Sequence, residues 1–336
     1  MLRVLIDVPV HAPSLERLRS MNVEVDLVDP PEERVRPVPV GLLRSAEALL
    51  CTFPAENFSE MENLRWLQVT SAGYSQLFGL DLVSRGIRAA NGRGCFDVPI
   101  SEWNIAMMVN LARNLRQMIR NQESQVWDRD VQFQREIRGL TVGLWGYGGI
   151  GRETARAAKA LGMTVHVLAR RGVKPIGDVY CVPGTGDPEG KLPDRVFLEG
   201  QELDFLSGLD FLVLAMPLTP STKGIVGERE LRALPPTACL LNPARGPLAP
   251  EGALVKALSE GWIRGAALDT HYYYPMPPDH PLWRMPNVIL TPHISGSSLG
   301  PHFLERTWHI FLENVRRCLE GRPLLNELTA DQLEGR

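Results

Sequence analysis

Three polar side chains follow short apolar runs in the second half of this chain. Arg245 lies in Asn242-Pro243-Ala244-Arg245-Gly246, just past the run 238–242. Asp269 closes the run 265–269, and His293 lies in Thr291-Pro292-His293-Ile294-Ser295-Gly296, just past 288–291. Runs of this kind are the pattern of parallel strands buried on both faces. In open α/β sheets, ligands sit beyond the carboxyl ends of the strands, so one Arg, one Asp and one His converge on one edge. Pro217-Leu218-Thr219, after the run 211–216, ends on the same edge. A guanidinium can hold a carboxylate and polarise the carbonyl beside it, and histidine can donate a proton near neutrality. That is the set of groups that hydride transfer to a 2-oxo acid requires.

What would carry the hydride is suggested further upstream. Val142 to Trp145 reads as a buried strand, followed by Gly146-Tyr147-Gly148-Gly149-Ile150-Gly151, a helix over 152–161 and a second strand over 164–169. In such a turn Gly146 allows the bend, Gly148 lets backbone approach a pyrophosphate, and Gly151 lets the helix pack on the strand. The helix N-terminus presents N–H groups to the phosphates. The carboxylate that would usually meet the adenosine ribose is missing, and the second strand runs out into Arg170-Arg171. Two guanidiniums suit a 2′-phosphate, so NADP(H) is favoured and NAD(H) is possible.

The elements that position these groups fall into two βα series. Strands are expected at 4–8, 23–28, 48–52, 66–70 and 87–90, with a helix over 14–21, and a long apolar-faced helix starts at Ser101. The second series begins at Thr141 and continues with helices over 228–234 and 251–260. Residues 171–193, rich in Gly, Pro and Asp, read as an irregular surface loop near the adenosine end, and a final helix spans 301–320. A doubly wound α/β sheet follows from this alternation.

At 336 residues the chain can hold two domains, and a net charge of −3 gives no footprint for nucleic acid or an anionic membrane. No apolar run is long enough for a bilayer, and the N-terminus reads as a strand rather than a signal peptide. Five scattered cysteines without CxxC spacing point to reduced cytoplasmic thiols, with no disulfide and no metal site.

Taken together, the segments 146–151, 217–222, 242–246, 267–269 and 287–293 resemble the D-isomer-specific 2-hydroxyacid dehydrogenases. That family includes glyoxylate/hydroxypyruvate reductases and phosphoglycerate, phosphite and formate dehydrogenases. The resemblance covers nearly the whole chain. It implies a Rossmann cofactor domain (101–295) inserted in a flavodoxin-like substrate domain (1–100 and 296–336), closing by a hinge, and a homodimer formed largely through the cofactor domains. It implies that Arg245 binds the carboxylate and carbonyl of a small anionic substrate. His293 would be the proton donor, Asp269 would hold the nicotinamide carboxamide, and the Ser71-Ala72-Gly73 loop would receive the substrate carboxylate through its N–H groups. Gly149, Ile150, Pro217, Thr219, Asn242, Pro243, Ala244, Ser295 and Gly296 complete the expected cofactor contacts.

One departure stands out. The family usually carries a glutamate five residues after the aspartate, paired with the histidine; here that position is Tyr274. Formate dehydrogenases also lack it and have Ser where Ser295 stands. A phenol can orient an imidazole but cannot stabilise imidazolium as a carboxylate would, so His293 is expected to have a lowered pKa. His271 is the alternative partner for His293. Oxidation of formate or phosphite, and a corepressor-like nucleotide sensor, are the competing functions.

Overall fold

The computed structural model describes residues 1–130, 134–298 and 300–334. It divides into two compact units, each with its own sheet.

The first unit comprises Met1–Phe96, Gly177–Cys181 and Ser298–Arg336. Its strands are β1 (Leu2–Asp7), β2 (Val23–Leu27), β3 (Ala48–Cys51), β4 (Trp66–Val69) and β5 (Arg88–Ala90), all parallel in the order β2-β1-β3-β4-β5. That is the flavodoxin-like order. Alternation along β1 separates the two faces. Val4 and Ile6 pack with Leu15 and Leu18 of α1 (Ala12–Arg19) and with Trp308 and Phe311 of the long helix Pro301–Leu319. Leu5 faces the opposite way, into a cluster with Leu43 of α2 (Val40–Ser45), Phe58, Met61 and Leu328.

The second unit comprises Asp97–Ile176 and Val182–Ser297. It opens with α3 (Asp97–Ala112) and α4 (Leu115–Glu123), followed by β6 (Thr141–Trp145), α5 (Gly149–Ala160) and β7 (Thr164–Leu168). Strands β8 (Arg195–Phe197), β9 (Phe211–Leu214), β10 (Cys239–Asn242), β11 (Gly265–Leu268) and β12 (Val288–Leu290) complete a seven-stranded parallel sheet, ordered β12-β11-β10-β9-β6-β7-β8. The chain reverses direction across the sheet between β6 and β9, which is where doubly wound sheets bind ligands. Along β9, Phe211 and Val213 face one apolar layer with Val142 and Leu144, while Leu212 and Leu214 face the other.

Both doubly wound sheets agree with the sequence reading, and the differences have local causes. Helix α3 starts at Asp97, four residues ahead of the expected Ser101, because the first turn before Ser101 buries Asp97 and Ile100. Strand β8 escaped notice because only Phe197 of its three residues is buried, as on a sheet edge. Helix α4 buries no residue at all; Leu115 and Ile119 on it, and Val126 and Trp127 after it, are exposed, Trp127 by 90%. The loop 171–193 is irregular, as expected, but it is not simply a surface loop: Asp187 is buried and Gly177–Cys181 belongs with the first unit. Among the described residues no helix is long and apolar enough to cross a membrane, and no cluster of His, Cys, Asp or Glu could hold a metal ion. Among the described residues no two cysteines are joined by a disulfide.

Candidate active site

The glycine turn lies at the end of β6, where the reversal of the sheet places a ligand. Gly146 has φ +101°, and a Cβ there would lie 2.7 Å from the Ala215 carbonyl oxygen of the neighbouring strand end. A Cβ on Gly151 would lie 2.5 Å from the Gly146 oxygen. Gly148 is the N-cap of α5, without a side chain to cap it, and no acidic residue occupies the helix's first turn. The N–H groups of Gly148, Gly149 and Ile150 have no backbone acceptor among the described residues. Shape and donor set therefore fit a pyrophosphate.

A brace behind this turn was invisible to pattern reading. Tyr147 Oη donates to Asp187 at 2.7 Å, and Asp187 also accepts from the N–H groups of Lys191 and Leu192, each at 3.0 Å. The buried Arg152 guanidinium donates to the Asp187 and Lys174 carbonyls and lies 4.9 Å from the Tyr147 ring. Lys174 and the segment 187–192 are thus hydrogen-bonded to the phosphate turn and its helix. The only sequence signal was a charged pair, Arg152-Glu153, where a helix packed in the core should be apolar. Arg170 and Arg171, at the end of β7, are exposed, and among the described residues neither has a carboxylate in ion-pair range.

Asn242 ends β10 and is buried. Its Oδ1 accepts from the N–H groups of Ala244 at 3.1 Å and Arg245 at 3.2 Å, and its Nδ2 donates to the Arg245 carbonyl at 2.8 Å. The amide thereby fixes the turn through Pro243 that presents Arg245, whose guanidinium is exposed and donates to the Ala244 carbonyl at 2.6 Å. Pro217 and Thr219, after β9, lie in a turn closed by Thr222, whose hydroxyl donates to the Pro217 carbonyl at 2.8 Å and accepts from Thr219 N–H at 2.8 Å.

Asp269 has a role that the sequence reading missed. Its carboxylate is fully buried and accepts four bonds: Thr291 Oγ1 at 2.5 Å and Ile294 N at 2.9 Å on Oδ1, Ser295 N at 3.0 Å and Ser295 Oγ at 2.5 Å on Oδ2. The loop Thr291–Gly296 wraps around this anion, and His293 at its apex takes φ +59°, a conformation that costs a non-glycine residue about 1 kcal/mol or more. Thr291 Oγ1 also accepts from Trp103 Nε1 of α3 at 3.2 Å. A relay from α3 through Thr291 to Asp269 therefore holds the histidine loop.

Tyr274 lies beside His293, with ring centroids 5.7 Å apart, and beside His271 at 6.4 Å. Its hydroxyl accepts from the His271 N–H at 3.2 Å, so ring packing, not a phenol hydrogen bond, is what it offers His293. His271 in turn has Nε2 2.7 Å from the Thr291 carbonyl oxygen, which requires Nε2 to be protonated and to donate. The pKa of His293 lies below the ordinary histidine value. Crowding of the imidazole by protein atoms is the first cause and the nearby Arg245 guanidinium the second; Asp269 pulls the other way, and His271 adds to the lowering. Arg245 and His293 are thus close enough to feel each other, and Asp269 and His271 complete the cluster.

In the first unit, the Ser71-Ala72-Gly73 loop after β4 has all three carbonyls occupied. Gly92 N donates to Ser71 O at 2.9 Å, Asn91 Nδ2 to Ala72 O at 2.7 Å and Ser71 Oγ to Gly73 O at 2.7 Å. Gln76 Nε2 braces Ser71 Oγ at 2.8 Å. Among the described residues the N–H groups of Ser71, Ala72 and Gly73 have no acceptor. The loop is thus held by its carbonyls and hydroxyl, with its N–H groups left out of the hydrogen bonding that shapes it.

Comparison with known proteins agrees with this geometry. Residues 105–295 match the family model described as D-isomer specific 2-hydroxyacid dehydrogenase, NAD binding domain. A glyoxylate reductase from Thermofilum pendens is 31% identical over 83% of this chain and 80% of its own length, and one from Thermococcus gammatolerans is 32% identical over 80% of each. A D-isomer specific 2-hydroxyacid dehydrogenase family protein from Aeromonas salmonicida superposes with a TM-score of 0.78 at 26% identity, covering 98% of this chain and 99% of that one. With the glycine turn, the Arg245 turn and the Asp269-held histidine loop following strands of the one sheet that this match covers, the chain is a member of the D-isomer specific 2-hydroxyacid dehydrogenase family.

Proposed function

We propose that this protein reduces the carbonyl of a short 2-oxo acid, and oxidises the matching D-2-hydroxy acid, with NADP(H) preferred over NAD(H). The observation that carries this reading is that Arg245 and His293 follow β10 and β12 on the sheet edge that also holds the dinucleotide turn. When bound, the nicotinamide supplies or accepts the hydride. Arg245, exposed and without a carboxylate partner among the described residues, holds the substrate carboxylate and polarises the carbonyl. His293 gives a proton to the carbonyl oxygen in reduction and takes it back in oxidation. Asn242 and Asp269 keep the two groups in place, and Ser71, Ala72 and Gly73 offer N–H groups to the substrate carboxylate. Tyr274 packs against the His293 ring. Arg170 and Arg171 support the preference for a 2′-phosphate.

Initial rates with glyoxylate, hydroxypyruvate and pyruvate, each with NADPH and NADH, test the proposal. Turnover with at least one of them, faster with NADPH, is the expected result. No turnover in either direction would remove the oxidoreductase reading in favour of a nucleotide sensor, and a strong NADH preference would remove the role of Arg170 and Arg171.

We also propose a homodimer through the second unit. The solvent-facing apolar residues Leu115 and Ile119 on α4, with Val126 and Trp127 beyond it, support this. Sedimentation at micromolar concentration should show twice the 37.4 kDa chain mass, and a monomer would count against it.

A further inference from the structure

The dinucleotide turn has a carboxylate as a near neighbour. Asp97 opens α3, Gly149 opens α5, and the two residues meet: a Cβ built on Gly149 would overlap the Asp97 carboxyl group, whose Oδ1 would lie 2.6 Å away and Oδ2 nearer still. The two helices run side by side in the same direction. Asn104 Nδ2, two turns further along α3, donates to Thr154 Oγ1, in the second turn of α5, at 3.0 Å. Two helix N-termini therefore end at one place, with a carboxylate only 9% exposed beside them. Each such end carries unsatisfied N–H groups and a positive dipole pole, and each stabilises an anion. The same physics draws a pyrophosphate to the first turn of α5.

We infer that Asp97 is a built-in competitor of the cofactor's phosphates. Its carboxylate stabilises the paired helix ends of the second unit before the dinucleotide arrives, and it opposes the pyrophosphate that enters over Gly148 to Ile150. The inference rests on the dinucleotide reading of that turn. The missing side chain at Gly149 is what admits the carboxylate, since even a methyl group there would displace it.

Two consequences of opposite sign follow. Removing the charge from Asp97 tightens dinucleotide binding, because like charges a few ångströms apart oppose each other. It also destabilises the ligand-free protein, because the helix ends lose their anion. A residue that merely braced the helices would lose stability and affinity together when altered. One that accepted a ribose hydroxyl would lose affinity alone.

The experiment measures Kd for NADPH and NADH by quenching of tryptophan fluorescence, and the Tm of the ligand-free protein, in the wild type, Asp97→Asn and Asp97→Ser. Both variants should bind both nucleotides about tenfold more tightly and melt at a lower temperature without ligand. Serine keeps a helix-capping hydroxyl, so it decides the matter if the asparagine variant does not fold. Equal or weaker binding by a folded variant overturns the inference. So does failure of both variants to fold at saturating NADPH, because loss of a competitor should favour the loaded protein. A wild type that binds neither nucleotide would instead overturn the dinucleotide reading itself.

Discussion

The phosphate turn after β6 and the histidine loop after β12 lie on the same sheet edge and are built by opposite means. The turn is made by side chains that are absent. Gly146 takes φ +101° against the Ala215 carbonyl, Gly151 clears the Gly146 oxygen, and among the described residues the N–H groups of Gly148 to Ile150 find no backbone acceptor. The histidine loop is made by side chains that converge, with four donors from Thr291, Ile294 and Ser295 closing on one buried carboxylate and holding His293 at φ +59°. A site that must accept a multiply charged group does well to keep its donors out of backbone hydrogen bonds. A site that must aim one imidazole needs its donors consumed, so that the loop has a single shape. The comparison predicts that removing a hydrogen-bond hub harms chemistry, whereas adding a methyl group to the glycine turn harms binding.

The largest effect should come from Asp269→Asn. The amide keeps the size of the carboxylate but turns an NH2 group toward either the Ser295 or the Ile294 and Thr291 donors, leaving buried N–H groups without acceptors. That penalty is about 1–3 kcal/mol for each group, and the aim of His293 is lost with it. A drop in kcat/KM of about a thousandfold is expected, on the scale of losing a positioned catalytic group, with a lowered Tm. A change under tenfold would mean that the loop holds its shape without Asp269. Next in size is Gly146→Ala. The positive φ and the approach to the Ala215 oxygen cost about 1–2 kcal/mol, so NADPH should bind about tenfold more weakly while kcat at saturating NADPH stays within about threefold. Gly148→Ala sharpens the contrast, because a Cβ there meets no protein atom within 4 Å: the ligand-free Tm should be unchanged. If Gly148→Ala lowered Tm as much as Gly146→Ala, the turn would not owe its shape to the close approach at Gly146.

This division also explains what could be read in advance. Glycines at fixed spacing after a strand are a local pattern, so the turn, both doubly wound sheets and the strand ends bearing Arg245, Asp269 and His293 were legible from one sequence. The hub at Asp269 was not, because its donors lie more than twenty residues away and include two backbone N–H groups, which carry no residue signature. Trp103 reads as one more apolar position on α3, yet its indole bonds Thr291 across 188 residues. Asp97 was invisible for a related reason: its closeness to Gly149 comes from the parallel packing of α3 and α5, and no spacing within either helix announces it. In the brace behind the phosphate turn, Tyr147 and Arg152 belong to the glycine turn and its helix, but their partner Asp187 lies in a stretch whose composition reads only as loop.

The smallest and most diagnostic effect concerns Tyr274. The pKa of His293 is lowered, so the imidazolium needed for reduction is lost as pH rises through a value below the ordinary histidine range. Reduction should therefore already decline before neutrality, while oxidation, which uses the neutral ring, reaches its plateau at lower pH than an unperturbed histidine would allow. Because the Tyr274 hydroxyl is engaged by the His271 N–H and only its ring packs on His293, Tyr274→Phe should leave both limbs in place and change kcat/KM by less than about threefold. Tyr274→Glu puts a carboxylate at the ring's side, stabilises imidazolium and should move both limbs up by about one pH unit. Profiles of kcat/KM against pH in both directions separate the cases. If Tyr274→Phe moved the limbs as far as Tyr274→Glu, the phenol hydroxyl would be setting the proton affinity of His293. The histidine loop would then depend on a bond from outside itself, and Asp269 alone would not account for its function.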